Sequence, residues 1–70
     1  MNWINTPNSS NISRYAYDAQ SQILRVEFLH GAIYDYFDVP DHVYNLMESA
    51  DSIGKFLAQE IKGCYRYARV

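Results

Sequence analysis

The side chains that most often do chemistry in proteins are scarce in this chain and lie far apart. The single cysteine is Cys64, and the two histidines are His30 and His42. A zinc site needs clustered cysteine and histidine ligands, and these three residues have no such spacing. A cysteine nucleophile needs a neighbouring base and an oxyanion hole, and no motif for either surrounds Cys64. We therefore predict no metal, no cofactor and no catalytic residue, with Cys64 at the boundary of the core.

Two pairs of carboxylates are the other candidates for acid–base chemistry. They are Asp38 with Asp41, and Glu48 with Asp51. Acids at such positions are also expected near helix N-termini and on solvated faces, and a general acid would need a buried pocket. The chain also has no glycine-rich phosphate loop, so the sequence favours a domain that is not an enzyme.

Basic and tyrosine side chains give the clearest indication of a binding surface. Near the C-terminus, cations and tyrosines are interleaved: Lys62, Tyr65, Arg66, Tyr67 and Arg69. Such a mixture can hold single-stranded nucleic acid, because cations attract phosphates and aromatic rings stack on bases. We predict these five residues as candidates for nucleic-acid contact.

A second basic surface is predicted on the sheet itself. Arg14 and Arg25 should project from the outer faces of neighbouring strands, which makes them further candidates for nucleic-acid contact. Glu27 and Asp35 share this face, so a solvated face of mixed charge is the alternative interpretation. The net charge of −2 and a pI near 5.4 argue against bulk attraction to nucleic acid, which usually shows as a basic domain.

An antiparallel sheet must position these side chains. Alternation of apolar and polar residues predicts strands over 12–17 and 22–28, followed by a third strand that Pro40 ends. The alternating segment 65–70 is predicted to return as a short edge strand. Residues 1–11 are polar and are predicted to form an irregular N-terminal lead-in.

The turn before the third strand decides on which face its aromatic residues lie. A two-residue loop would bury Asp35 in the core without an obvious partner, which is costly. A three-residue loop over 29–31 places Gly31 where a positive φ is needed, and it puts Tyr34 and Tyr36 on the apolar face. Because a one-residue slip reverses every side chain, we predict the three-residue loop, with both tyrosines mainly in the core and Asp35 outside.

The remaining chain has helical spacing. Pro40 suits the first turn of a helix. For a second helix, Ser52 next to Asp51 is the predicted N-cap, Gly54 allows close packing at its start, and Gly63 stops it. The predicted apolar stripes are Val43, Leu46, Met47 and Ala50 in the first helix, and Ile53, Phe56, Leu57 and Ile61, with Cys64 as a further candidate, in the second.

These elements define an α+β fold. It consists of a small antiparallel sheet of three to four strands, in the order β-β-β-α-α-β, with two helices packed on one face. Seventy residues suffice for one core, so residues 12–70 are predicted to form a single domain. The chain has no long apolar run and residues 1–11 lack signal-peptide features, so with one cysteine we expect a cytoplasmic protein without a membrane span.

The ordered spacing of these residues resembles the KTSC domain. This short module occurs alone in bacterial and phage proteins and at the C-terminus of some lysyl-tRNA synthetases. The resemblance runs from residue 9 to residue 70, and Tyr34-x-Tyr36 corresponds to the family's central YxY motif. The motif positions, mainly structural, are Gly31, Tyr34, Tyr36, Pro40, Ser52 and Gly54.

The chain departs from the family pattern at two positions. Ala16 stands where the family usually has glycine, and Ala58 stands where asparagine is common. RNA binding has been suggested for this family of unestablished function, so the resemblance implies RNA as a partner. The alternative is a protein-interaction module, docking a partner or a second copy through an edge strand or a helix face that exposes His42 and Tyr44.

Overall fold

The computed structural model describes residues 1–70. Its strands are β1 Ile4–Asn5, β2 Ile12–Asp18, β3 Ile23–Phe28, β4 Ile33–Tyr36 and β5 Tyr67–Arg69. Its helices are α1 Asp41–Glu48 and α2 Ile53–Phe56, and α2 continues directly into a π-helical turn, Leu57–Ile61. All five strands pair antiparallel, and their order in the sheet, β1-β2-β3-β4-β5, is their order in the chain.

The α+β class is confirmed, but the sheet has five strands rather than the predicted three to four. The additional strand, β1, lies within the segment predicted to be an irregular lead-in, and it pairs Ile4 with Tyr15. Both residues of β1 are exposed. A strand of two exposed residues has no alternation of burial, so periodicity could not reveal it. Neither helix has the length and apolar character that a membrane-spanning segment requires.

The predicted register of β3 and β4 is confirmed. Tyr34 lies opposite Val26, and the neighbouring pairs follow the same register. Across the turn, the Gly31 N–H donates to the Phe28 carbonyl at 2.9 Å, and the φ of Gly31 is +96°. Since side chains are strained at such a φ, this glycine supports the loop that turns both β4 tyrosines toward the helices.

The core lies between this face of the sheet and the helices. Its fully buried large side chains are Ile12, Leu24, Val26, Val39, Met47, Leu57 and Ile61. Burying one such side chain contributes about 1.5–3 kcal/mol. α1 begins directly after Pro40, which is its N-cap residue rather than part of its first turn as predicted, and it packs through Val43 and Met47, one helical turn apart. Leu46 does not belong to this stripe: its side chain is 56% exposed, which corrects the prediction.

The second helix begins as predicted. The Ser52 hydroxyl accepts a hydrogen bond of 3.2 Å from the backbone N–H three residues later. Gly54 is buried, and a Cβ there would collide with the side chain of Asn11. At the other end, the Lys62 N–H donates to the Leu57 carbonyl at 2.8 Å, five residues back. The helix therefore ends in a wider π turn, which the apolar spacing does not reveal.

Two side chains occupy places that the sequence did not predict. Cys64 is exposed rather than at the core boundary, because the chain turns outward at Gly63, where φ is +79°. Tyr44 was expected on an exposed docking face but packs against the core, stacked on Tyr17 with ring centroids 4.2 Å apart. His42 is exposed.

Candidate functional site

An aromatic groove opens on the helix side of the sheet, beside β4 and β5 and the end of the π-helical turn. Its lining residues are Phe28, His30, Tyr34, Tyr36, Lys62, Gly63 and Tyr67. The volume of this groove is about 400 Å³. That is near the lower end of the roughly 300–1,000 Å³ typical of small-molecule sites. The lining contains five aromatic rings, one cation and no carboxylate.

Strand pairing brings the groove tyrosines together. Tyr67 lies opposite Tyr36 in the β4–β5 pair, and directly opposed residues share a face of the sheet. The Tyr67 ring centroid is 5.9 Å from that of Tyr34 and 6.0 Å from that of Tyr36. Tyr36 is buried whereas Tyr67 is 63% exposed, so the groove runs from an open rim down to the core.

The hydrogen bonds divide the tyrosines into two groups. Tyr15 and Tyr44 donate to the Glu48 carboxylate, and Tyr17 donates to the Val39 carbonyl. The three groove tyrosines form no side-chain hydrogen bond within the chain, and no buried polar side-chain atom lacks a partner. Their hydroxyls must therefore reach solvent, and they are available to a ligand.

Burial favours the neutral phenol form of several tyrosines. Burial raises the pKa of Tyr36, and the nearby Tyr34 and Tyr67 raise it further. Burial, with hydrogen bonds to neighbouring carboxylates, also raises the pKa values of Tyr15 and Tyr17 to about 12. The Tyr36 hydroxyl can therefore donate a hydrogen bond without placing a negative charge beside a ligand.

Three of the cations predicted to contact nucleic acid are held in ion pairs. The pairs are Arg14 with Glu27, Arg25 with Asp35, and Arg66 with Asp38. Arg25 donates two hydrogen bonds of 2.7 and 2.9 Å to the Asp35 carboxylate, and this contact raises the pKa of the guanidinium. Asp35 is on the outer face as predicted, but it is buried rather than exposed. The outer face is thus one of mixed charge.

Lys62 and Arg69 remain without an ion pair; Lys62 lines the aromatic groove, and Arg69 lies opposite the groove residue Tyr34. The Lys62 Nζ is 4.9 Å from the centroid of the Phe28 ring. Arg69 lies opposite Tyr34 in the β4–β5 pair and therefore shares its face of the sheet. At the groove, a cation without an ion pair, Lys62, therefore meets a cluster of aromatic rings, with Arg69 on the same face of the sheet.

The structure thus brings two of the predicted contact residues, Lys62 and Tyr67, together in the groove, and it places Arg69 opposite the groove residue Tyr34. Tyr65 instead packs half-buried against the core. Sequence reasoning did not identify Phe28 and His30 as part of a site. The β3–β4 register could have identified them. It places Phe28 on the same face of the sheet as Tyr34 and Tyr36, and His30 lies in the turn that follows Phe28.

The two departures from the family pattern lie outside the aromatic groove. Ala16 is fully buried in β2, opposite Arg25, and Ala58 is exposed on the π-helical turn. Neither lines the groove. No three aspartate, glutamate, histidine or cysteine side chains gather as metal ligands would.

Fold and groove together define a class of small α+β domain in which two helices cover part of an antiparallel sheet and leave an aromatic groove at its edge. The KTSC domain matches residues 8–67, and the chain belongs to this family. The crystal structure of a KTSC domain protein from Yersinia pestis has the same fold. Its TM-score is 0.90 at 28% sequence identity, covering 99% of this chain and 96% of that one.

Long and short relatives both contain a segment that is similar to this chain. A lysine–tRNA ligase of Trichormus variabilis is 36% identical over 64 residues, which are 91% of this chain and 11% of the ligase. An uncharacterized protein of Stutzerimonas stutzeri is 43% identical over 63 residues, 89% of each chain. This chain therefore spans only a small part of the ligases that it matches.

Proposed function

We propose that this domain binds RNA through the aromatic groove and catalyses no reaction. The observation that carries the proposal is the meeting of Lys62 and Arg69, both free of ion pairs, with three tyrosines whose hydroxyls are unpartnered. Rings of this kind stack on bases, and cations attract phosphates. The hydroxyls add donors and acceptors for the base edges or the sugar.

The relatives support RNA as the class of partner. Lysine–tRNA ligases carry a segment similar to this chain, and a domain joined to such an enzyme would have RNA close by. The ligase activity itself is not proposed here, because the similar segment is 11% of that protein. A cytoplasmic location, where RNA is accessible and a single cysteine stays reduced, is part of the proposal.

The proposal implies a weak dependence of affinity on salt. For single strands, log K falls with log salt by about 0.7 for each phosphate that a cation neutralises. Two free cations therefore give a slope of roughly −1.4, whereas all five predicted cations would give roughly −3.5. A small slope also agrees with the net charge of −2, since the attraction is confined to one groove.

The test is fluorescence anisotropy with a labelled single-stranded RNA of mixed sequence, measured between about 50 and 200 mM salt. We expect Lys62→Gln to weaken binding and to reduce the salt slope. Lys55→Gln is the matched control, because Lys55 is also exposed and without an ion pair but does not line the groove. Equal losses in the two variants would contradict a local site, and absence of binding at low salt would contradict the function.

A second candidate is a protein-interaction module. It is favoured by β5, an edge strand whose residues are all exposed, with Tyr67 and Val70 each more than 60% exposed. Such an edge can accept a strand from another chain. Sedimentation analysis tests this with the wild type and Val70→Asp: a concentration-dependent dimer that the variant abolishes would support it, and a monomer throughout would exclude self-association.

A further inference from the structure

We propose that the aromatic groove takes one unpaired nucleotide at a time, with the base among the rings and the phosphate beside Lys62 and Arg69. This inference rests on the proposed RNA binding and adds a definite ligand to it, a single nucleoside phosphate unit. It separates this domain from proteins that follow a strand over many nucleotides.

The size of the groove limits how much RNA it can receive. Its volume of about 400 Å³ is close to the smallest sites that bind whole small molecules. Its lining includes Lys62 and Gly63, which directly follow the π-helical turn, and the buried Tyr36. A base with its sugar fits such a space, but a row of stacked bases does not.

The inclination of the rings points the same way. Tyr34 is steeply inclined to two of its neighbours, at 66° to Tyr67 and 76° to Phe28. The other ring pairs of the groove are less inclined: Tyr36 and Tyr67 lie at 41°, and Phe28 and His30 are nearly parallel at 2°. Proteins that follow single strands offer aromatic platforms on which successive bases stack. Rings inclined so steeply instead enclose one planar guest between a face and an edge.

The charge of the groove favours an anionic ligand over a cationic one. Aromatic cages also bind quaternary ammonium groups, because the ring faces attract cations. Here the Lys62 ammonium already occupies that position, 4.9 Å from the Phe28 ring centroid, and no carboxylate lines the groove. A second cation would be repelled, whereas an aromatic ligand that carries a phosphate can contact the rings and pair with the Lys62 ammonium.

The groove can receive only a base that is not stacked between its neighbours in a duplex. A base inside a duplex is covered on both faces, so it enters a pocket only after it is flipped out or when it is already single-stranded. The natural targets are therefore strand ends, loops and bulges, which leave one base accessible.

The experiment compares ligands of increasing length by NMR amide-shift titration at one salt concentration. The probes are uridine and adenosine 5′-monophosphates, followed by single-stranded oligouridylates of two, four and eight nucleotides. We expect a mononucleotide to shift the groove amides and to compete with the octamer. After correction for the number of equivalent sites, affinity should rise less than about threefold from dimer to octamer, because only one base occupies the groove.

Variants test the placement of the ligand. Tyr67→Ala should weaken mononucleotide binding at least fivefold, roughly the low end of the effect of losing one stacked ring. Since Tyr67 is 63% exposed, the fold should survive, and unchanged shifts in β2 check this. Lys62→Gln should weaken the mononucleotide as well, and it leaves every groove ring in place.

The experiments distinguish a failure of the one-nucleotide site from a failure of RNA binding as a whole. Octamer binding with no mononucleotide binding, or affinity that rises about tenfold with each doubling of length, overturns the one-nucleotide site and leaves RNA binding standing. Displacement of the nucleotide by trimethyllysine overturns the assignment of an anionic guest. Absence of binding by every probe overturns both this inference and the proposed function.

Discussion

At the scale of single residues, hydrogen bonding separates tyrosines that hold the fold from tyrosines that await a ligand. We expect Tyr17→Phe to lower the free energy of unfolding by about 1–2 kcal/mol, because the Val39 carbonyl loses the donor that lies 2.5 Å away. Tyr67→Phe is the control: its hydroxyl has no partner in the chain, so the change should stay within about 0.5 kcal/mol. Urea unfolding measures both, and equal losses would contradict the division.

The raised pKa values of the structural tyrosines predict a loss of stability at alkaline pH. Tyr15 and Tyr17 have pKa values of about 12 in the folded chain, against about 10 in the unfolded chain. Between these values the folded state holds more protons than the unfolded state, so the free energy of unfolding falls as pH rises. The stabilisation is complete below pH 10 and is lost progressively above it.

The test of this pH dependence is a series of urea midpoints from about pH 8 to pH 11. We expect the midpoint of the wild type to fall more steeply above about pH 9.5 than that of Tyr15→Phe combined with Tyr17→Phe. A parallel fall in both proteins would assign the effect to other groups.

The sequence predicts part of this residue-level detail. Strand alternation correctly places Arg25 and Asp35 on one face, but it does not show that two hydrogen bonds between them bury the carboxylate. The first helix was expected to expose Tyr44 on its outer face, whereas stacking on Tyr17 decides where that ring lies. Charge pairing and ring stacking depend on neighbours that are distant in sequence, so they become visible only in three dimensions.

At the scale of elements, Gly54 in α2 lies against the side chain of Asn11, just before β2. This contact predicts that the effect of Gly54→Ala on stability changes sign when Asn11 is shortened. A Cβ on Gly54 would collide with the side chain of Asn11, so Gly54→Ala should destabilise the domain. The three atoms nearest to that Cβ all belong to the Asn11 side chain beyond its own Cβ. In an Asn11→Ala background the collision disappears, and the better helix propensity of alanine should make Gly54→Ala neutral or stabilising.

A double-mutant cycle measured by thermal unfolding gives the coupling between the two positions. We expect a coupling of about 1 kcal/mol or more, as is common for residues in direct contact. If the two changes add without coupling, Asn11 is not the reason for glycine at this position.

Elements are predictable here where a periodic pattern and a turn residue agree. Strands β2 to β4 follow from alternation, and Gly31 selects the hairpin register that the structure shows. The π-helical turn is different, because apolar residues at positions 57 and 61 suit a turn of either width. Its bonding, from Lys62 back to Leu57, is nevertheless what carries the lysine to the groove.

At the scale of the whole molecule, the sheet has two unequal edges. β1 and β5 are both short and exposed, but only β5 lines the aromatic groove. Net charge alone argues against nucleic acid. The structure shows that ion pairs neutralise half of the six cations, leave Lys62 in the groove lining and leave Arg69 opposite the groove residue Tyr34.

The two edges provide a hydrogen-exchange test with an internal control. The Val70 N–H donates to the Ile33 carbonyl at 2.8 Å beside β5, and the Thr6 N–H donates to the Ser13 carbonyl at 3.1 Å beside β1. Both amides should exchange faster than those of the central strand β3, since edges open locally at low free-energy cost. At saturating single-stranded RNA, exchange of Val70 should slow severalfold while that of Thr6 stays unchanged, because a ligand in the groove favours the closed β5 edge. Slowing at both edges would indicate global stabilisation, and slowing at Thr6 alone would place the RNA on the opposite edge of the sheet.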